Sequence, residues 1–303
     1  MKRLCLVVTV CGAIAGWAGP GWAYDEPGGL NLGFTSFLDG GPPAGPGLYY
    51  SEYLQWYYAQ SFPGAPLPLV RLNAWIALQQ LIYQSNQKVL LDGKWGLDLI
   101  QPFVAFDLNP NYQTSSGPGD LLIGPFIQWD PIMGKNGPVF MHRIELQTIV
   151  PTGRYESTSV LNAGSNFLSV NPYWAATWFV LPHWTTSWRI HYLWNDENDD
   201  PNPVLGLRTE QPGQAVHANF ATEYEVVPSR LRVGFNGYFF EQVTDSKANS
   251  VEVPGHEQVI GLGPGFVWHL SQNDHIFFDA YFECAAQHRP EGQRYNLRWV
   301  HHF

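Results

Sequence analysis

YNLRWVHHF, residues 295–303, is the stretch that decides the fold. Its large apolar side chains recur at every second position, at Tyr295, Leu297 and Trp299, and the last residue is Phe303. Polar and basic side chains lie between them. Alternation with a period of two places successive side chains on opposite faces of a β-strand. Because chain ends are usually polar and frayed, this pattern predicts a terminal strand that is held within a sheet.

The composition of the chain is rich in aromatic residues and poor in charge. Of its 303 residues, 45% are apolar and only 14% are charged, and there are 13 Trp, 15 Tyr and 18 Phe. Soluble domains usually carry about 25% charged residues. The composition therefore favours a protein that is not wholly surrounded by water, although an aromatic-rich soluble β protein has a similar composition.

The first 23 residues have the pattern of a cleaved secretory signal peptide. Lys2 and Arg3 precede an apolar run over residues 4–18, and small residues precede a predicted cut after Ala23. Cleavage removes two positive charges and no negative one, so it takes the formal net charge from −10 to −12. It also leaves Cys284 as the remaining cysteine, which excludes an internal disulfide and a cysteine-based metal site.

Twelve runs of aromatic and β-branched residues follow, separated by clusters of Gly, Pro, Asn and Asp, which is the signature of strands and turns. Strands of soluble proteins usually have about 5–6 residues, whereas a tilted strand needs about 9–11 to cross the hydrocarbon core of a membrane. The runs here have about 11–14 residues, so they match a membrane strand better than a soluble one. They cover residues 48–60, 72–84, 95–108, 119–130, 139–149, 167–180, 184–195, 214–227, 230–243, 257–269, 274–287 and 292–303.

The sequence therefore predicts an all-β protein, an antiparallel transmembrane β-barrel of about 12 strands of the Gram-negative outer-membrane type, over residues 47–303. A soluble sandwich shows the same alternation with its apolar face inward. The links favour the barrel, because the later ones alternate between short turns and long polar loops, as the periplasmic and extracellular links of such barrels do. Pro102 lies inside the third run, where we expect a bulge.

The end of the sequence resembles the signal by which the insertion machinery of Gram-negative outer membranes recognises barrels. That signal is a terminal Phe preceded by alternating apolar residues, here Tyr295, Leu297, Trp299 and Phe303. His301 stands at a position where the pattern expects an apolar residue. In this interpretation the four apolar residues face lipid.

Five further motifs resemble those of one family. They are GDLLIGP (119–125), VPTGRY (150–155), NFLSVNPYWAATW (166–178), GLGPGF (261–266) and HRPEGQRYNLRW (288–299). In this order they are similar to the "meta-pathway of phenol degradation" family of outer-membrane transporters, and the resemblance covers residues 48–303. It implies a barrel and a role in the uptake of hydrophobic or aromatic small molecules, and it carries no catalytic residues.

If the apolar faces meet lipid, the charged residues on the opposite faces line the lumen. The predicted set is Arg143, Glu145, Arg189, His191, Glu223, Glu225, Arg230, Arg232, Asp279, Glu283, Arg294 and Arg298. These residues either form structural ion pairs that fill the lumen or form a charged constriction that selects solutes. A tight turn predicts that Glu225 lies opposite Arg232. A second turn predicts that Glu283 lies opposite Asn296 and diagonal to Arg294 and Arg298.

Residues 24–46 precede the first strand and form a separate N-terminal segment. Their apolar side chains stand among glycines and prolines and are Leu30, Leu32, Phe34, Phe37 and Leu38. The segment either folds into the lumen as a plug or forms a periplasmic tail, and the sequence does not decide between the two.

A passive outer-membrane channel for small hydrophobic or aromatic compounds is the function that these features favour. Expected partners are outer-membrane lipid and lipopolysaccharide, the barrel insertion machinery and the solute, whereas the negative net charge argues against nucleic acid. We expect no cofactor, no metal and no enzymatic activity, because HExxH, GxSxG and P-loop motifs are absent from the sequence. The alternatives are a structural or adhesive barrel with a plugged lumen, and a barrel hydrolase.

The acidic loop of residues 196–200 either binds a divalent cation or is simply solvated.

Removal of Phe303 alone is expected to impair assembly more than the loss of one exposed apolar side chain would, because the insertion machinery reads the terminal residue. The measurement is the yield of heat-modifiable barrel in outer-membrane fractions. Leu297→Ala, which removes another apolar side chain of the same strand, is the matched control. Normal insertion of the truncated chain would show that the terminal Phe carries no signal.

Overall fold

The computed structural model describes residues 29–42, 44–64, 68–110, 112–135 and 137–303. The predicted signal peptide, residues 1–23, lies outside the described residues. The described chain consists of β-strands and their connecting loops, together with a short 3-10 helix at Pro203–Leu205. None of its helical turns has the length and apolarity of a membrane span.

Twelve long strands, numbered here in chain order, build the barrel. They are β1 (Gly47–Ser61), β2 (Arg71–Leu90), β3 (Gly93–Asn109), β4 (Leu121–Gln128), β5 (Gly137–Val150), β6 (Ser169–Leu181), β7 (Trp184–Asn195), β8 (Ala215–Val227), β9 (Leu231–Gln242), β10 (Gln258–His269), β11 (Asp274–Gln287) and β12 (Glu291–His302). The strands lie where the sequence predicts them. The largest difference is in β2, which continues to Leu90 beyond its predicted end at residue 84.

The sheet is closed. Each strand pairs antiparallel with the next, and β12 returns to pair with β1, from Tyr49 opposite His302 to Ser61 opposite Glu291. Closure leaves no open edge, and in hydrocarbon an unpaired backbone group costs several kcal/mol. The predicted antiparallel barrel of 12 strands is thereby confirmed.

Short and long links alternate between the two ends of the barrel. The end that holds Gly47 and His302 has links of residues 91–92, 129–136, 182–183, 228–230 and 270–273. The opposite end has links of residues 62–70, 110–120, 151–168, 196–214, 243–257 and 288–290. Because outer-membrane barrels have short periplasmic turns, we name the first the periplasmic end and the second the extracellular end.

Side chains alternate between an apolar outer face and the lumen. Along β7, Thr185, Ser187 and Arg189 are buried in the lumen, while Trp184 and Ile190 are exposed on the outer face. The barrel therefore shows its apolar surface outward, as a lipid-embedded sheet must.

The first strands alternate poorly in sequence because their inner face is also apolar. Tyr49, Tyr53 and Tyr57 of β1 and Ile76 and Leu78 of β2 point into the barrel and are buried. With apolar residues on both faces, the contrast that marks a half-buried strand disappears.

At Pro102, where the sequence predicts a bulge, the ladder is regular on one side of β3 and irregular on the other. The register with β2 runs unshifted through Leu78 opposite Pro102. On the other side of β3, pairing with β4 ends at Ile100, and the next pair is at Phe103. Pro102 thus lies in an interruption of the ladder, where the missing N–H removes no hydrogen bond.

The register of β11 with β12 also differs from the prediction. Asn296 lies opposite Asp279 and not opposite Glu283, because Ala285, with a φ of 56°, interrupts the regular strand and adds residues to β11 before the turn. The predicted diagonal contact forms nonetheless, since Glu283 Oε1 lies 3.2 Å from Arg294 Nε.

Asp120 fastens the β5–β6 loop to the start of β4 and accounts for two of the sequence motifs. Its carboxylate accepts hydrogen bonds from Gly153 N at 2.8 Å, Ser165 N at 2.7 Å and Ser165 Oγ at 2.6 Å. A Cβ at Gly153 would lie 2.7 Å from the carbonyl carbon of Gly119. GDLLIGP and VPTGRY therefore meet at a contact that requires glycine and a buried carboxylate.

Asp120→Ala is expected to lower stability by about 3 kcal/mol, because three donors lose a charged acceptor. Urea-unfolding midpoints and protease cleavage within residues 151–168 measure the effect. Asp120→Asn, which keeps one acceptor oxygen, should lose less stability. Equal stability of Asp120→Ala and the unmodified chain would contradict this account of the two motifs.

Candidate functional site

Residues 29–42, named here the lumen segment, lie inside the barrel. The segment bonds to inward-facing side chains of β1, β4, β6, β7, β8 and β12, which surround it from different sides. Four of the apolar residues that the sequence indicated for a plug are at most 2% exposed, and Leu38 is half-buried. The four are Leu30, Leu32, Phe34 and Phe37.

Amide side chains of the wall bond the backbone in the first half of the lumen segment. Asn219 of β8 accepts from Gly33 N at 2.8 Å and donates to Asn31 O at 3.1 Å. Asn296 of β12 donates to Phe34 O at 3.2 Å. Because an irregular buried backbone has no ladder of its own, it needs such partners from elsewhere.

Gly40 lies directly against the wall in the second half. Its N–H donates to Thr177 Oγ1 at 2.9 Å, and its carbonyl accepts from Gln128 Nε2 at 3.1 Å. A Cβ here would lie 2.3 Å from Thr177 N and 2.4 Å from Met141 O. Only glycine permits this close approach of two backbones.

Asp39, the charged residue of the lumen segment, forms a bidentate ion pair with Arg189 of β7. Arg189 Nε and Nη2 lie 2.7 and 2.6 Å from the two carboxylate oxygens. The guanidinium also lies over the ring of Tyr173, 4.2 Å from its centroid. Removal of one partner of a buried ion pair costs about 3–5 kcal/mol, because it leaves an uncompensated charge. This pair is therefore a strong anchor of the segment.

The apolar side chains of the lumen segment explain part of the apolar inner face of the first strands. Phe34 packs edge-to-face with Tyr53, at 5.9 Å between ring centroids, and shares a cluster with Ile76. Phe37 packs in another cluster with Phe277. The inner wall is apolar where it meets the segment rather than water.

The predicted lumen charges lie on the inner face with one exception. Nine of them are buried, namely Arg143, Glu145, Arg189, His191, Glu223, Arg232, Asp279, Arg294 and Arg298. Glu225 and Glu283 are partly buried. Arg230 is the exception, because it belongs to the exposed turn of residues 228–230 between β8 and β9.

Glu225 and Arg232 are opposite each other, as predicted, but they bind other partners. Arg232 lies 3.7 Å from Glu223, while Glu225 bonds to His183 at 2.7 Å. The ladder shifts immediately after Glu225, and this carboxylate accepts from the turn at Ser229 N.

Two cavities flank the second half of the lumen segment. The arginine cavity, of about 60 Å³, is lined among others by Asp39, Tyr49, Tyr53, Arg143, Arg189, Phe277 and Arg298. The vestibule, of about 440 Å³, lies at the periplasmic end and is lined among others by Pro46, Trp129, Pro131, Met141, Phe179 and Arg232. Leu38, Gly41, Pro42 and Gln84 line both cavities.

Sequence reasoning placed Arg189 in the lumen but missed the other residues that fasten the lumen segment. Asp39 carried a signal, since it is a single charge among apolar and small residues and precedes a barrel with inward arginines. Asn219, Asn296 and Thr177 carried none, because neutral polar residues are ordinary on the inner face of a barrel.

The four residues of the predicted assembly signal lie on the outer face of β12 or at its end. They are Tyr295, Leu297, Trp299 and Phe303, the last of them 69% exposed. His301, which breaks the apolar pattern, bonds through Nδ1 to Asp274 Oδ1 at 2.8 Å. The polar residue is thus paired near the periplasmic end, where the strand leaves the apolar belt.

Metal-ligating residues do not converge in the part of the chain that the structure describes, where no group of three or more His, Cys, Asp or Glu is placed to hold an ion. The acidic side chains of the loop at residues 196–200 are exposed. Cation binding and simple solvation both remain alternatives for this loop.

Comparison with known proteins gives a family and a fold. The profile of the family "Putative MetA-pathway of phenol degradation" matches residues 59–299. An outer membrane channel from Pseudomonas putida F1 has a similar structure, with 16% identity and a TM-score of 0.74 over 88% of this chain and 98% of that chain. The NanC porin is similar at 10% identity and a TM-score of 0.46, over 84% and 98% of the two chains. The β domain of the Bordetella autotransporter BrkA is similar at 12% identity and a TM-score of 0.47, over 86% and 100%.

No curated protein sequence matches the chain. The family profile nevertheless covers well over half of it, and the motifs of the sequence lie within or next to that match. The structural similarity to the Pseudomonas putida channel agrees with the closed barrel of 12 strands. The chain is therefore a member of the MetA-pathway phenol-degradation family, folded as an outer-membrane-type β-barrel.

Proposed function

We propose that the protein is a channel of the bacterial outer membrane through which small hydrophobic or aromatic compounds pass passively. The lumen segment is its plug. The observation that carries this proposal is the position of residues 29–42 inside a closed barrel, bonded to strands on several sides. A solute that travels along the lumen has to displace this segment.

The contacts that hold the plug support the proposal that it can move. Its contacts are hydrogen bonds to side-chain amides and hydroxyls, one ion pair and apolar packing, and it adds no strand to the barrel ladder. It can therefore leave without breaking the closed sheet, which keeps its own backbone hydrogen bonds.

The side chains that line the lumen and the vestibule support the proposal that the solute is apolar. Tyrosines line the inner face of β1, and the vestibule has apolar lining from Trp129, Met141 and Phe179. Aromatic and apolar linings bind apolar solutes by removing their surface from water. Membership of a family named for phenol degradation agrees with this class of solute.

The apolar outer face, the family and the predicted signal peptide support the outer membrane as location. In that setting lipid and lipopolysaccharide contact the outer face, and the insertion machinery assembles the chain.

Deletion of residues 29–42 is expected to raise single-channel conductance in planar bilayers several-fold, because the lumen loses its plug. The same variant should speed the uptake of toluene by cells that otherwise lack the gene. Deletion of residues 203–206 from an extracellular loop is the control and should leave conductance unchanged. A deletion variant that folds and stays closed would favour the alternative of a non-transporting barrel.

Gly40→Ala is expected to loosen the plug, because its Cβ would collide with the backbone of the wall. The reporter is the rate of maleimide labelling of Ser36→Cys in a Cys284→Ser background, which should rise. Gly41→Ala is the matched control, since its Cβ would meet only the flexible side-chain ends of Gln128 and Met141 at 3.2 Å. Equal labelling rates in the two variants would contradict the close seating of Gly40.

A further inference from the structure

The arginine cavity holds more positive than negative charge. Arg143, Arg189 and Arg298 line it, and Asp39 is the carboxylate in its described lining. Asp39 is paired with Arg189. Among the residues that the structure describes, no carboxylate oxygen lies within 4.0 Å of the Arg143 or Arg298 guanidinium, and Nε of each has no hydrogen-bond partner. Two buried cations therefore face the cavity without a direct counter-ion.

Carboxylates of the surrounding wall bond to other groups. Asp98 accepts from Gln80 Nε2 at 2.7 Å, and Glu145 accepts from Tyr173 OH at 2.5 Å. Asp279 likewise accepts from a wall asparagine at 2.5 Å. The other oxygen of each carboxylate is buried without a hydrogen-bond partner, and in the described residues it forms no ion pair within 4.0 Å with either arginine.

Aromatic rings are the contacts of the two arginines instead. The Arg298 guanidinium lies 3.6 Å from the ring centroid of Phe277, and that of Arg143 lies 5.1 Å from the centroid of Phe126. A cation–π contact offsets only part of the free-energy cost of burying an ion. An anion that enters the cavity would offset the remainder.

Asp39 shows which kind of anion the cavity accepts. Its carboxylate occupies the fork of Arg189 through two parallel hydrogen bonds. This planar, bidentate geometry is the one by which guanidinium recognises carboxylate. The protein thus carries its own carboxylate at the site, on the segment that fills the lumen.

The surroundings of the cavity fit a ligand with an apolar body. A water needs about 10–15 Å³ of such volume, so the cavity of about 60 Å³ accommodates a carboxylate head but not a large molecule. Leu38, Gly41 and Pro42 separate it from the vestibule and line both. An apolar body can extend along this boundary toward the vestibule.

We propose that the arginine cavity binds the carboxylate of a small amphipathic acid, and that this ligand competes with Asp39 for the arginines. The proposal rests on the proposed channel function and names its substrate class, namely monocarboxylic acids with an aromatic or other apolar body. Because displacement of Asp39 releases the anchor of the plug, ligand binding and plug release are coupled, and each favours the other.

The test is equilibrium binding to the full chain in detergent, measured by ligand-observed NMR titration. The probes are 3-phenylpropionate and its neutral match 3-phenylpropionamide. The acid should bind at least tenfold more tightly than the amide. Equal affinity of the two probes would overturn the proposal, and so would inorganic phosphate that competes as strongly as the acid.

Variants locate the site. Arg143→Gln combined with Arg298→Gln should weaken binding of the acid at least tenfold and leave binding of the amide unchanged. Arg71→Gln, at an exposed pair with Asp107 away from the lumen, is the matched control. Unchanged affinity of the acid in the double variant, shown to be folded by heat-modifiable migration, would place the ligand elsewhere.

Asp39→Asn keeps every arginine and tests the competition directly. It should raise the affinity for the acid several-fold, because the internal competitor is lost, and an unchanged affinity would refute the exchange. Binding is measured without any flux. Tight binding of the acid with no conductance, even without the plug, would therefore refute the channel and keep the site, whereas conductance without binding would refute the site alone.

Discussion

Closure of the sheet is the constraint on which the rest of the structure depends. In hydrocarbon each backbone N–H and C=O must find a partner within the protein, and the ladder between β12 and β1 supplies the last set. Barrels of eight strands are filled by their own side chains, and those of 16–18 strands leave an aqueous channel. Twelve strands enclose an intermediate space, and the lumen segment occupies it.

A filled lumen changes what the inner wall has to be. Where the wall meets Phe34 it is apolar, through Tyr53 and its neighbours. Where it meets the bare backbone of the segment it presents amides such as Asn219, and where it meets Asp39 it presents Arg189. The wall is therefore matched to the segment residue by residue, as a buried interface has to be.

The accuracy of sequence-based prediction depends on whether the inner face of a strand is polar or apolar. The later strands were predicted well, because one of their faces is apolar and the other polar, and this contrast is a local property of the chain. β1–β3 are the least clear, because both of their faces are apolar: some inner residues pack on the lumen segment, and others pack on loop residues nearer the extracellular end. The alternation predicts Arg230 in the lumen, because the apolar pattern extends one residue beyond the strand into an exposed turn. The partners of Glu225 and the register at Asn296 depended on local irregularities that no alternating pattern reveals.

The sequence by itself determined the number of strands, their length and the face that each turns outward. These features follow from side-chain alternation, from turn residues and from the thickness of the hydrocarbon, all of which act over a few consecutive residues. Only the tertiary structure decided that residues 29–42 lie in the lumen, and that Asp39 meets Arg189, 150 residues further along the chain. The physical reason is that such contacts depend on distances across the lumen, and those distances exist only once the barrel has closed.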